Sequence, residues 1–340
     1  MTLGKIHQVI PSIFGLLLLF PQSSNFDDFL PGLLNPMVRY TSIPGLDNLL
    51  NFLVPFYQDF IKDSSSILII NTFFPLVITV LFTVALEASI PGVRGLVTNY
   101  FIIALLTQFL GISMAITIIW VPAWIISEKR KEIQINNDRE GIVTTQQYYD
   151  GMFLLNPGRV NAIFYSIFGF AMFFMTAMVT IKNEKLQAYV TILFLFAPLL
   201  APIFWNHKSK TIDNNNSSTK SGYKLASYYY KILFGVSIYQ WMLFLLYAVD
   251  NKFQRIYELT LLCISGGSSP SINFMIINSW VTITGMSYWV FVAEGGHKFT
   301  NNLKGYLLQL FIFGPSGALA LYCSKRYEIK NINTIRTKLS

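Results

Sequence analysis

The chain reads as an all-α, polytopic bundle of membrane-spanning helices, and three observations carry that reading. Six apolar stretches, 67–86, 100–126, 160–181, 187–205, 228–249 and 271–293, approach the roughly 20 residues a helix needs to cross about 30 Å of hydrocarbon. Of the residues, 53% are hydrophobic and 12% charged, where soluble domains carry about 25% charge. Mean hydropathy is +0.48. A backbone in lipid must satisfy its own hydrogen bonds, and a helix does so within one segment.

The elements follow in order. Residues 9–21 form a short apolar run bounded by Pro11 and Pro21. Pro21-Gln22-Ser23-Ser24 is a poor small-residue cleavage site, so the run is expected to be a retained first span. Residues 43–61 place Leu46, Leu49, Leu50, Leu53, Val54 and Tyr57 at helical spacing, which predicts an amphipathic helix on the membrane surface. The six long spans come next, and 306–323 makes a last one around Gly314-Pro315. That gives about eight spans, or seven if 9–21 is not one. Residues 1–340 form a single transmembrane domain. Residues 206–227 are a flexible polar loop holding the run Asn214-Asn215-Asn216-Ser217-Ser218, and 324–340 is a polar, basic tail.

The net charge of +8 fits basic residues flanking spans, and nucleic-acid binding is not expected. Alternating sides over eight spans puts thirteen Lys and Arg on one face and eleven on the other, a weak preference for a cytosolic 127–159 connection. Cys263 and Cys323 have no paired metal spacing and imply no disulfide framework. No internal repeat of the transporter kind is evident. There is no Gly-x-x-x-x-Gly-Lys loop for phosphates. Gly314-Pro315-Ser316-Gly317 has the wrong spacing for a nucleophile elbow. His7, His207 and His297 are isolated in the sequence, and Asp27-Asp28 reads as a solvated loop. No metal or redox cofactor is expected.

The most informative local segment is Leu86-Glu87-Ala88-Ser89-Ile90-Pro91-Gly92-Val93-Arg94-Gly95. A carboxylate sits where a span leaves the membrane, and a Pro-Gly turn can fold Arg94 back towards it. Partial desolvation there would favour a protonated carboxylic acid, which is a good general acid. The structural alternative is a helix-end ion pair. Gln108, Lys231, Gln240, Asn273 and Asn278 lie inside spans, where polar groups are costly and usually face the bundle interior. Aromatic residues inside spans, among them Phe168, Phe170, Phe173, Phe174, Trp280 and Trp289, either pack or stabilise a cation.

On these residues the chain resembles the fungal integral-membrane terpene cyclases of meroterpenoid biosynthesis, the ascochlorin and ascofuranone type, and related membrane proteins acting on polyketide epoxides. Pro44-Gly45-Leu46-Asp47, the segment Glu87, Pro91, Gly92, Arg94 and Gly95, the set Gln108, Gly111 and Pro122, and Phe274 to Trp280 carry the resemblance. Ile90, Val93 and Asn278 depart from it, standing where Arg, Asn and Asp are expected. An amide cannot donate a proton as an acid does. The resemblance implies acid-catalysed cyclisation of an epoxidised prenyl or polyketide chain in the endoplasmic reticulum membrane. Glu87 would be the acid, Arg94 its positioning partner, and Gln108 and Asn278 would orient the epoxide or nucleophile. The partners would be a lipophilic epoxidised substrate, membrane lipid and an upstream epoxidase. With water as nucleophile the same site would be an epoxide hydrolase. A transporter, using Pro75, Pro122, Pro198, Pro202 and Gly314-Pro315 to break helices around a midplane site, and a non-catalytic membrane scaffold stand as alternatives.

Overall fold

The computed structural model describes residues 38–129, 155–205, 222–258, 269–293 and 299–339, less positions 42, 64, 91, 92, 94, 252, 253 and 255. No strand occurs among them. Seven helices of the described residues are long and apolar enough to cross a membrane, so the all-α polytopic expectation holds. The expected first span, 9–21, lies outside the described residues.

Helix α1 (Pro44–Lys62) matches the predicted amphipathic segment. It starts with proline, whose missing N–H costs nothing at a helix start. Asp47, within its first turn, accepts hydrogen bonds from Tyr40 N–H, Thr41 N–H and the Thr41 hydroxyl. Helix α2 (Ser66–Ser89) is buried along most of its length, as a helix apolar all round should be. Helix α3 (Tyr100–Leu110) is capped by Asn99, which accepts from Ile102 N–H. Helix α4 (Ile112–Lys129) follows Gly111 and contains a π-helical stretch over Ala115–Trp120. Helix α5 (Pro157–Thr180) is capped by Asn156 with proline at its first position. Helix α6 (Glu184–Leu200) is capped by Asn183. Helices α7 (Gly222–Asp250) and α8 (Pro270–Ala293) complete the long spans. The helix Phe299–Leu339 is broken at Gly314 into α9 (299–313) and α10 (315–339).

Two faces of the bundle can be told apart. Lys62 at the end of α1 pairs with Glu184 at the start of α6. Asp59 of α1 accepts from the hydroxyls of Ser269 and Ser271 at the start of α8. The starts of α2, α6 and α8 therefore share one face with α1. On the opposite face, Arg159 at the start of α5 donates to Ser89 at the end of α2. A Cβ on Gly222 would meet Leu155 O at 1.9 Å, which puts the start of α7 there too.

The third and eighth predicted spans are not simple crossings. Tyr100 packs on Trp205, at the far end of the α6 segment, and Trp124 reaches Glu87 near the end of α2. Both ends of 100–129 thus lie at the Glu87 face, and α3 packs back along residues 115–120. Gly111, at φ +83°, makes the reversal, in a region that L side chains avoid and glycine enters freely. The last segment does the same. Tyr306 and Tyr322 are 16 residues apart, about 24 Å along a straight helix, yet their ring centroids are 6.3 Å apart. Gly314, at φ +72°, is the turn. The segment expected to be a polar, basic tail is the outer part of α10, helical to Leu339. The polar loop expected over 206–227 gives way to α7 at Gly222.

The two hairpins share one plan, a likeness not evident from hydropathy along the sequence. Each follows a long helix running from the α1 face to the Glu87 face, α2 in one unit and α8 in the other. Gly111-Ile112-Ser113-Met114-Ala115 and Gly314-Pro315-Ser316-Gly317-Ala318 occupy equivalent turns. Each tip docks on the other unit's long helix. Ser113 N–H donates to Asn278 Oδ1 of α8 at 2.9 Å. Ser316 Oγ lies 3.0 Å from Thr79 Oγ1 of α2 and 2.7 Å from Ser237 Oγ of α7. Both units run the same way through the membrane, as in a parallel repeat.

Candidate intramembrane binding cavity

The predicted site residues fall in two places. Gln108 and Asn278 line one cavity. Glu87 lines neither that cavity nor the one beside it, and Arg94 lies outside the described residues.

The cavity has about 720 Å3 of space, part of it open to the surroundings. Helix α1 floors it with Phe52, Leu53, Phe56 and Tyr57. With Phe73, Phe74, Phe194 and Phe274, seven rings line it together with Gln108, Thr107 and Asn278. No charged side chain occurs among its lining residues. Phe56 meets Phe274 edge to face at 5.3 Å, and Tyr57 meets Phe194 likewise at 5.9 Å. Such pairs add about 0.5–1.5 kcal/mol beyond area burial. Burial pushes the Tyr57 phenol up to about 12, so it stays neutral and able to donate.

The amides differ in what they do. Asn278 spends Oδ1 on Ser113 N–H, one of the four N–H groups a helix start leaves unpaired. It therefore caps α4 from a neighbouring helix, and its Nδ2 remains as a donor. A Cβ at position 111 would meet Asn278 Nδ2 at 3.0 Å and Phe274 Cζ at 3.1 Å, so glycine is needed for close approach as well as for its φ. Gln108 has no hydrogen bond to a described residue and is half-buried.

Glu87 is fully buried at the opposite face, with 0% exposure. Trp124 Nε1 donates to its Oε2 at 3.0 Å, and the Tyr327 hydroxyl to its Oε1 at 3.1 Å. Arg326 Nη2 and Lys330 Nζ stand 3.7 and 3.6 Å from Oε1. The Arg326 guanidinium also lies between the indoles of Trp124 and Trp289, 5.4 and 5.3 Å from their centroids. Trp124 and Tyr327 are each 13 residues past their hairpin glycine, so equivalent positions of the two repeats clasp one carboxylate. Leu81, the lining residue of α2 closest to Glu87 in sequence, is six residues away, about 9 Å along the helix.

Of the aromatic residues singled out inside spans, Phe170 lines the adjoining cavity and Trp289 belongs to the Glu87 cluster. Phe173 and Trp280 are 68% and 66% exposed, on the outer surface of the bundle. Tyr57 and Phe274 stand out in the sequence for other reasons, but the grouping of the cavity rings and the cations Arg326 and Lys330 do not. A Gly-x-Ser-x-Ala pattern recurring at 111 and 314, each with an aromatic 13 residues on, was the signal that would have found the hairpins and the partners of Glu87. No group of His, Cys, Asp and Glu able to hold a metal occurs among the described residues.

No family model, no curated protein and no solved structure matches this chain.

Proposed function

We propose that this integral membrane protein binds a neutral, lipophilic small molecule within the bilayer and holds its oxygen by the amides of Gln108 and Asn278. The observation that carries this is the make-up of the cavity. Seven rings and two amides with unspent donors face one space, with no charged group in its described lining. A charged ligand would be left without a counter-charge at high cost. An apolar molecule with one acceptor satisfies the donors and fills the remaining walls. Helix α1 forms the floor of this space at its own face of the bundle.

Cyclisation of an epoxidised prenyl or polyketide chain is the second reading, and the ring-lined walls favour it. Aromatic faces stabilise a passing cation by about 0.5–2 kcal/mol each, and the amides can hold an epoxide oxygen. Within this reading an upstream epoxidase supplies the substrate, and the endoplasmic reticulum is the membrane that the cyclase resemblance suggests. The site of Glu87 outside the cavity lining weighs for a structural role there. A carrier for lipid-soluble molecules is supported by the repeated hairpins, but the closing of the cavity by α1 at one face supports it less.

The test is photolabelling of the full chain in lipid nanodiscs with a clickable prenyl phenol and with its epoxide. Labels are expected on peptides of α1 and α8, competed by unlabelled prenyl phenol and weakened about tenfold by Gln108→Leu, the loss of one hydrogen bond to the ligand. Labelling spread evenly over lipid-facing helices, and indifferent to that substitution, would defeat the reading. Mass spectrometry of the epoxide from the same incubation separates holding from conversion.

A further inference from the structure

We infer that the ligand site has a second polar subsite at Tyr100, so that the preferred ligand is an elongated lipophilic molecule with an oxygen at each end. This inference rests on the cavity reading above. A second cavity with about 440 Å3 of space, part of it open to the surroundings, lies beside the first. The two share Phe74, Val77, Leu81, Gln108 and Phe194 in their linings, so they meet at Gln108 and continue one another along α3. Tyr100 lines the far part. It is 3% exposed, its ring is held against Trp205 at 4.7 Å, and its hydroxyl has no hydrogen-bond partner among the described residues.

A buried phenolic O–H without a partner is unfavourable, and native structures rarely keep one without reason. The other hydroxyl in this lining is already engaged, because Ser166 Oγ donates to Ile163 O and accepts from Trp205 Nε1. Tyr100 is therefore the group with an unspent donor at this end, as Gln108 and Asn278 are at the other. Tyr100 and Gln108 are eight residues apart on one helix, about 12 Å, and Gly111, against which Asn278 packs, is about 16 Å from Tyr100. Apolar walls of Ile167, Phe170 and Pro198 lie between the polar ends. A molecule with oxygens roughly 12–16 Å apart would meet a donor at each.

The experiment is equilibrium binding of a tritiated long-chain α,ω-diol of this span to the full chain in nanodiscs, with competition by the mono-alcohol of equal length. Wild type is expected to prefer the diol about five- to tenfold, the worth of one further hydrogen bond. Tyr100→Phe should remove that preference by weakening the diol alone, with melting temperature unchanged or raised, since a buried unpaired hydroxyl is lost. Phe170→Trp, which narrows the second cavity from another wall, should also weaken the diol while sparing a short mono-alcohol. Equal affinities in wild type, or a preference that survives in Tyr100→Phe, overturns the subsite and leaves the first cavity standing. If wild type retains neither alcohol, the cavity reading falls and this one with it.

Discussion

Glu87 shows how one residue can be conspicuous in a sequence while the distant groups around it are not. A carboxylate at a span end followed by an arginine invites local pairing, and Arg94 was the neighbour in view. Arg94 lies outside the described residues, and the described side chains seen to reach Glu87 come from 37 to 243 residues away. Arg326 is 12% and Lys330 31% exposed, so removing the anion strands two poorly hydrated cations. Breaking a buried pair from one side costs about 3–5 kcal/mol. Glu87→Gln should therefore lower the melting temperature sharply, and Glu87→Leu with Arg326→Leu should recover much of the loss. A double-mutant cycle by thermal melting in detergent checks this. Tyr57 makes the complementary case. Its phenol is raised from 10 to about 12 by burial, so the folded state holds the proton more tightly than the unfolded one. The stability this gives is complete below pH 10 and fades as pH rises towards 12. Ligand binding should be flat from pH 6 to 9 and Tyr57→Phe should leave that profile flat; a titration across that range reads it.

At the scale of elements, what was legible was amphipathicity and length. The α1 face, the span centres and the all-helical class follow from periodicity and hydropathy, because those are local properties. A helix reversal within the bilayer is not local in hydropathy. Both α3 and α4 are apolar, so 100–126 reads as one span, and only Gly111 marks the break. Glycines 111 and 314 carry both conformation and packing. At 314 a Cβ would meet the Trp241 ring at 2.7 Å, and the φ of +72° adds strain of about 1–2 kcal/mol for a side chain. Gly314→Ala is expected to destabilise by more than that strain alone. Trp241→Phe should relieve part of the clash, and the melting temperatures of the two single variants and the double show it. The amides in the cavity were legible as intramembrane polar residues, while their grouping was not, since Gln108 and Asn278 meet only through a tip docked across 165 residues of chain.

At the scale of the molecule, the hairpins change how charges divide between faces. Each enters and leaves by the Glu87 face, so that face takes the connections 87–99, 127–159, 206–227 and 294–305 and the tail. These hold one, five, four, two and five Lys and Arg, seventeen in all, against two each in 22–66, 182–186 and 250–270 on the α1 face. The near balance expected for eight alternating spans becomes a clear bias, and basic connections stay in the cytosol. The Glu87 face is therefore expected to be cytosolic. The sequons at Asn215 and Asn216 should remain unmodified, and an acceptor sequon placed before α1 should be used. Mobility on gels with and without glycosidase reads both.

The bond between Asn278 and Ser113 also sets an order in time. Ser113 is made long before Asn278 emerges from the ribosome, and until then the tip of the first hairpin has an N–H without its partner. In hydrocarbon such a group is costly, so this tip cannot settle early at its final depth. The first hairpin should stay shallow, or in water, until α8 is in place, which makes the last third of the chain the part that completes the ligand site.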